Sequence, residues 1–357
     1  MRKLMAVDAF CGCGGTTLGL TKAGFTVGAA LEVDSWAAET YMRNHPSTAV
    51  FYDIRSTPAS VLLDYMGIRK YQLDLLTGCP PCQGFSSIRT LNAASGASRD
   101  GRNNLVFEFL RLVDGLRPKA ILFENVPGLM ENWRFNELVS CLEGWKYKVN
   151  ASRLNAQDFG VPQRRKRLVL AASQFDVVSL DEPDIPVTTV RKAIGDLEHP
   201  ARSKRWLHRW HSHHSDEVME RIRSIPKNGG SRRDLGKDGQ LECHQDDKIG
   251  FHDVYGRMAW EEVSPTITRF SNNPSKGRFL HPRQNRGLTL LESSILQSFP
   301  RRYKFLPATP PTKVASMIGE AFPPKMAEFL AKRIAEQLLA MRRRKPAAAN
   351  RKAKAGR

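Results

Sequence analysis

Over its first 180 or so residues the chain alternates short apolar runs with stretches of helical periodicity, and this alternation narrows the folds open to it. Residues 4–10 read as a strand and 16–23 as a helix; 26–31 read as a strand and 35–44 as a helix. Further strands are expected at 73–76, 120–123 and 168–171, with an amphipathic helix at 105–116. Strands interleaved with helices call for a mostly parallel sheet covered on both faces, so the expected fold class is α/β. The pattern breaks after about Gln174. From there to about Pro282 the chain is irregular, basic and rich in Pro and Gly, as in Lys227-Asn228-Gly229-Gly230-Ser231-Arg232-Arg233. Helical periodicity returns at 312–340. Residues 342–357 carry eight Lys or Arg and no acid, and read as a disordered basic tail.

With 357 residues, 41% of them hydrophobic, the chain can bury a sizeable core and is expected to form two domains. Its formal charge of +19 points to a polyanionic partner, most simply nucleic acid. No secretory signal precedes the first strand and no apolar run is long enough for a membrane span, so a cytoplasmic protein with reduced thiols is expected. Cys79 and Cys82 have the spacing of half a zinc site or a redox pair. No second cysteine pair stands at zinc spacing, and no metal is expected. His208, His211, His213 and His214 read as a basic, partly solvated face, as does Cys243-His244.

Two stretches carry candidate chemistry. Gly78-Cys79-Pro80-Pro81-Cys82-Gln83-Gly84-Phe85-Ser86 puts a cysteine in a stiff loop just after a strand, where open α/β sheets place their ligands. A cysteine there needs only a lowered pKa or a nearby acid or base to act as a nucleophile. Asp8-Ala9-Phe10-Cys11-Gly12-Cys13-Gly14-Gly15-Thr16-Thr17 is a strand, a glycine-rich turn and a helix start. Thr17 stands where a dinucleotide fingerprint has its third glycine, which fits a cofactor whose only anion is a carboxylate. Glu32 at the end of the second strand suits a ribose diol. Asp53, ending the expected third strand, suits an adenine amino group.

Taken in order, these stretches resemble the DNA cytosine-5 methyltransferase family over nearly the whole chain. The segment Asp8–Gly15 resembles its first motif, and Tyr52-Asp53-Ile54 an adenosyl contact. Pro81-Cys82-Gln83 resembles its nucleophile motif, Glu124-Asn125-Val126 its acid motif, and Gln163-Arg164-Arg165-Lys166-Arg167 its Gln-x-Arg-x-Arg motif. Arg286-Gly287-Leu288-Thr289 through Glu292, with Leu296-Gln297-Ser298-Phe299-Pro300, resembles the motif that supports the recognition domain. The resemblance implies an S-adenosylmethionine-dependent, Rossmann-like sheet domain at 1–184 and 310–341. It also implies a small, mostly irregular or β target recognition domain at 185–285, a supporting segment at 286–309, and DNA in the cleft between the domains. S-adenosylmethionine would be held by Phe10, Gly12, Gly14, Gly15, Glu32, Val33, Asp53, Ile54, Pro80, Leu105 and Ala321. Cys82, Glu124, Arg165 and Arg167 would be catalytic. The implied partner is double-stranded DNA, with room for a cognate restriction endonuclease acting on the same site, and a monomer is expected.

The implied chemistry follows from the poor nucleophilicity of cytosine C5. A Cys82 thiolate adding to C6 makes C5 enamine-like, and Glu124, desolvated behind an apolar strand, meets N3 as the acid. Arg165 holds the base O2 and Arg167 orders the network, two arginines at i and i+2 sharing one strand face. The base must leave the duplex to be reached. Thr266 and Thr268 resemble a strand of the recognition domain. The last motif departs from the family: Gly319-Glu320-Ala321-Phe322-Pro323 has Glu320 where asparagine is usual, and its charge would repel a cofactor carboxylate. Two other readings use the same residues: a DNA-binding member with little turnover, and the tRNA-methylating branch of the family.

Overall fold

The computed structural model describes residues 3–81, 104–236, 240 and 253–354, without the side chains of 344–354. They form two compact units. The first comprises Met1–Leu154, Lys166–Glu182 and Pro324–Arg357; the second comprises Asn155–Arg165 and Pro183–Pro323. These bounds differ from the expected domains, since 155–165 and 310–323 fall in the second unit.

The first unit is built on seven strands: β1 (Leu4–Ala9), β2 (Phe25–Leu31), β3 (Ala49–Phe51), β4 (Leu75–Gly78), β5 (Ala120–Asn125), β6 (Lys148–Asn155) and β7 (Lys166–Ser173). Their order in the sheet is β3-β2-β1-β4-β5-β7-β6. The first five are parallel, and β7 runs antiparallel to β5. β4 and β5 are buried throughout, as central parallel strands covered on both faces should be. Helices α1 (Gly15–Lys22), α2 (Ser35–Asn44), α3 (Ala59–Met66), α4 (Leu105–Leu116) and α5 (Trp133–Gly144) follow the strands. α2 starts at Asp34, whose carboxylate accepts from Ala37 N at 3.0 Å and so satisfies one of the helix's open donors. The core gathers Val7, Leu76, Phe123 and Leu170 from one face of the sheet with Phe109 and Val113 from α4.

The C-terminal helix, Pro324–Lys354, lies on α1. Gly19 permits the contact: a Cβ there would stand 2.6 Å from Glu328 N, 2.7 Å from Ala327 Cβ and 2.8 Å from Pro324 O. Farther along, Arg342 clamps the helix to the sheet through Asp74, a buried carboxylate that also accepts from Lys119 Nζ and Met5 N. The expected basic tail begins at residue 342, and its first residue is held by this clamp. Arg342 belongs to the folded body, and the helix continues to Lys354 because alanine, lysine and arginine favour it.

The second unit contains short helices and turns, including Asp216–Ser224, Leu290–Leu296 and Pro311–Glu320. Among its described residues, the expected strand at Thr266–Thr268 reduces to one bridge, Gln163 with Ser264; Pro162 and Pro265 flank that bridge and cannot donate to a ladder. Two buried groups replace sheet bonding. Arg257 donates to the carbonyls of Ile222, Ile225, His281 and Gln284 and to Asn285 Oδ1. Arg286 forms a two-pronged ion pair with Glu292, at 2.7 and 2.8 Å, beside the Thr289 cap of the helix it precedes. Burial alone would raise the Glu292 pKa, but Arg286 holds it down to about 2. His208 is buried and bonded to Thr289 Oγ1 and the Glu198 carbonyl, so it leaves the solvated face expected for the histidine cluster.

The Gly19 contact yields a first test. Gly19→Ala should destabilise the protein by about 1–3 kcal/mol, because the added methyl meets backbone that cannot swing aside. Chemical denaturation of both forms measures this, and an unchanged midpoint would show that the C-terminal helix does not rest on α1.

Candidate active site

The strand order reverses between β1 and β4, and the loops leaving these two strands flank the crevice where α/β sheets bind ligands. Ala9 pairs with Gly78 at the ends of the two strands, and Cys79 N reaches the Ala9 carbonyl. The glycine-rich turn and the Pro80 loop are therefore neighbours. Phe10 bends the chain out of β1 with φ of 59°, a left-handed conformation uncommon for an aromatic residue and typical of strained functional turns. Gly12 and Gly14 also have positive φ, and a Cβ on Gly12 would meet no atom within 4 Å. Backbone there borders open space. Gly15 opens α1, the helix end that favours an anion.

Glu32 stands at the adjacent strand end. Its two oxygens accept from Gly12 N and Asp34 N, each at 2.8 Å. Burial raises its pKa, and those two N–H bonds oppose the rise. The carboxylate is thus fixed beside the open face of Gly12 with lone pairs left over for a diol. Val33 is 51% exposed at the same edge, and Leu105 and Phe10 pack on the core while partly open. β3 ends at Phe51, two residues earlier than expected, and Ile54 is buried. The Asp53 carboxylate is bound by Arg55, with Nη2 at 2.8 Å, which lowers its pKa and puts a competing cation on the expected adenine contact. These residues fit a nucleoside with a ribose diol and a separate carboxylate.

Beneath the turn, Asp8 is fully buried. Thr17 and Thr77 hydroxyls donate to it at 2.6 and 2.8 Å, and Tyr41 shares the Thr17 hydroxyl at 2.8 Å. This network ties α1 to β1 and β4 under the candidate cofactor site.

Across the crevice, Glu124 lies near the end of β5. Antiparallel pairing sets Glu124 opposite Val169 and so brings Arg167, two residues away on the same face, into diagonal contact. Arg167 Nε is 2.8 Å from Glu124 Oε1. Burial lowers the Arg167 pKa, partly offset by Glu124. Arg165 does not share that face, which corrects the expected pairing of the two arginines. β7 begins at Lys166, and Arg165 belongs to the second unit. There its guanidinium donates to the carbonyls of Ile267 at 3.0 Å and Ala321 at 3.2 Å. Gln163 and Gln297 complete this knot, and Gln297 also donates to Ala321 O. Ala321 is accordingly a hydrogen-bonded backbone position of the second unit. Glu320 lies 3.7 Å from Arg269, a cation that offsets the charge expected to repel a cofactor carboxylate.

Cys82 lies outside the described residues, as do Cys243 and His244. Pro80, two residues before Cys82, is held by Asn125, to which the sequence assigned no role of its own: Asn125 Nδ2 donates to Pro80 O at 3.1 Å, and Asn125 Oδ1 accepts from Val126 N. The other cysteine of the pair, Cys79, faces Thr16 at 3.9 Å. Burial pushes the Cys79 thiol well up, reinforced by the charges of Glu124 and Asp8, which makes it a poor nucleophile.

The fold and crevice define an S-adenosylmethionine-type methyltransferase sheet, and comparison with known proteins agrees. Residues 4–336 match the family described as C-5 cytosine-specific DNA methylase. The Type II methylase M.HgiDII of Herpetosiphon aurantiacus is 34% identical, over 92% of this chain and 94% of its own. The Type II methyltransferase M1.HphI of Haemophilus parahaemolyticus is 32% identical, over 93% and 86%. Among solved structures, a protein described as a DNA modification methyltransferase encoded within an E. coli prophage aligns with a TM-score of 0.72 at 24% identity, over 94% of this chain and 99% of its own. The chain belongs to the C-5 cytosine-specific DNA methylase family, and is a DNA cytosine-5 methyltransferase.

Asp8 gives this site a pH signature. Burial raises its pKa from 3.8 to about 6. A raised carboxyl adds stability that is complete below pH 4 and is lost as pH rises through about 6, a loss of up to about 3 kcal/mol. Asp8→Asn removes the titrating group. Denaturation midpoints of parent and variant should therefore converge near pH 4 and separate above pH 6, the variant being more stable there. Curves that stay parallel from pH 4 to 8 would assign the slope to other groups.

Proposed function

We propose that this enzyme methylates C5 of a flipped-out cytosine in a specific duplex DNA sequence through a covalent adduct between Cys82 and C6. The observation that carries the reading is the Glu124–Arg167 pair at the end of β5, across the crevice from the glycine-rich turn and next to Asn125, which holds Pro80. When bound, S-adenosylmethionine would supply an electrophilic methyl group. Glu32 would hold its ribose diol, and the turn at Gly12, Gly14 and Gly15 would admit it closely, with Phe10, Val33 and Ile54 around the adenine.

The chain's own residues do the rest. Addition of the Cys82 thiolate to C6 pushes electrons toward N3 and O2 and makes C5 nucleophilic. Glu124 delivers a proton to N3, and Arg167 fixes the orientation of that carboxyl group. Asn125 holds the Pro80 carbonyl, two residues before Cys82 in the chain. Arg165 acts as a positioning residue, tying 267 and 321 together. Once C5 carries the methyl group, loss of the C5 proton to solvent, departure of the Cys82 thiolate and return of the N3 proton to Glu124 restore the aromatic ring. The net charge of +19 suits a phosphate backbone, and the bacterial Type II relatives suit a cytoplasmic enzyme of a restriction–modification pair.

Duplex DNA carrying 5-fluorocytosine should trap the enzyme in a denaturation-resistant complex, because fluorine blocks the final elimination. Cys82→Ser should form none, and a complex formed by the serine variant would reassign the nucleophile. Glu124→Gln should keep DNA binding yet slow the single-turnover rate by roughly 10²–10⁴. A rate equal to the parent's would remove Glu124 from the chemistry, and preference for tRNA over duplex DNA in the same assay would change the substrate.

A further inference from the structure

Two stretches of the second unit carry cations without acids. Residues 199–215 contain Arg202, Lys204, Arg205 and Arg209, and residues 293–319 contain Arg301, Arg302, Lys304 and Lys313; neither stretch holds an Asp or Glu. The fold lays them together. Helices Val190–Ile194 and Trp206–Arg209 both pack on Leu290–Leu296. Arg205 Nη1 donates to the Arg301 carbonyl at 2.9 Å. Arg301 in turn forms a two-pronged ion pair with Asp196 and donates to Ala193 O. Arg205 and Arg301 therefore fasten one stretch to the other.

Buried neighbours turn other cations of these stretches outward. Tyr303 and Phe305 are buried and pack with Phe299 and each other, at ring-centroid separations of 4.8, 5.7 and 5.5 Å. Arg302 and Lys304 alternate with them and are exposed. Ser203 is buried likewise, its Oγ accepting from Arg205 N at 3.3 Å, between the exposed Arg202 and Lys204. Among the described residues, Arg202, Lys204, Arg209 and Arg302 have no carboxylate partner. The acids that flank the two stretches are Asp196, Glu198, Asp216, Glu292 and Glu320. Asp196 is held by Arg301, Glu292 by Arg286 and Glu320 by Arg269. Like charges concentrated in this way repel one another, and a polyanion relieves the repulsion while releasing its own counterions.

We infer that the face bearing Arg202, Lys204, Arg302 and Lys304 binds the phosphate backbone of DNA without reading its sequence, as a contact additional to those at the reacting base. The inference rests on the reading of the chain as an enzyme acting on duplex DNA. Cations on a fixed surface suit phosphates, which position a protein on DNA but carry no sequence information. The face is built of turns and a four-residue helix, too short to fill a major groove and read base edges there. An anionic membrane is the poorer match. The aromatic residues of the two stretches are buried or half-buried, so the face offers a bilayer no anchor. Such a contact would keep the enzyme on DNA between targets and leave discrimination to other residues.

The test titrates the full chain into a fluorescent dA·dT duplex, which offers no cytosine, and follows anisotropy at several salt concentrations. The parent should bind, more weakly as salt rises. The triple variant Arg202→Gln, Lys204→Gln, Arg302→Gln should bind about tenfold more weakly at low salt, and its log–log salt slope should flatten by about 0.9 for each phosphate no longer neutralised. A control triple, Arg69→Gln, Lys70→Gln, Lys146→Gln, removes the same charge from exposed positions of the first unit and should bind as the parent does. The pair Arg202→Lys, Arg302→Lys keeps the charge and should keep the affinity. Bisulfite sequencing of plasmid DNA should find the same cytosines methylated by the parent and the first triple. The inference is overturned if the parent does not bind the duplex, if the first triple matches the parent in affinity and slope, or if the control triple loses as much. A changed set of methylated cytosines, or a preference of the parent for phosphatidylglycerol vesicles over the duplex, also overturns it. Absence of methylation by the parent would instead count against the function proposed above, because binding to the dA·dT duplex is read without any methyl transfer.

Discussion

The seam between β1 and β4 governs the sheet unit. The chain builds outward from β1 to β3, then restarts on the other side of β1 with β4. Crossovers of one hand leave such a seam without a connection over the finishing ends of its strands. Whatever follows β1 and β4 must then lie side by side. One of these loops is the glycine-rich turn and the other carries Cys82. The seam is bridged by Cys79 N to Ala9 O, by the Thr16–Cys79 contact and, beneath both, by the Asp8 network. β5 adds Glu124 one strand farther along, and the Asn125 amide returns to the Pro80 loop.

Much of this was readable wherever the signal was local. The helices at 35–44 and 105–116 match their expected ends, since an Asp34 cap and a strong apolar face mark them. The glycine-rich turn and Glu32 read correctly as neighbours because successive parallel strands finish at one edge. α3, α5 and β6 went unread. β6 reads Lys-Val-Asn-Ala-Ser-Arg-Leu-Asn and is half exposed at the sheet edge, so it lacks the apolar run of a central strand. The reversed direction of β7 has no sequence signature either. It is a register relation, and it decides that Arg167 rather than Arg165 meets Glu124. Arg165 finds its partners at Ile267 and Ala321, more than 100 residues away, where no spacing rule reaches.

The resemblance supplied what periodicity could not, namely the expected acid and the arginines. The structure sorted them by partner. Glu320 illustrates the difference: in sequence it is a misplaced charge, whereas in space it has Arg269 beside it. Cys79 and Cys82 are alike in sequence, and burial next to Glu124 and Asp8 removes Cys79 from contention as a nucleophile.

Arg257 has a consequence for how the sequence of the second unit can vary. All five acceptors around its guanidinium are carbonyl oxygens, four from the main chain and one from Asn285. A main-chain carbonyl is the same whichever side chain follows it. Side chains at 222, 225, 281 and 284 can therefore be exchanged without removing an acceptor from the arginine, as long as each replacement still packs. Such a frame separates the residues that hold a shape from those displayed on it. It would let the side chains around it vary one at a time on an unaltered support.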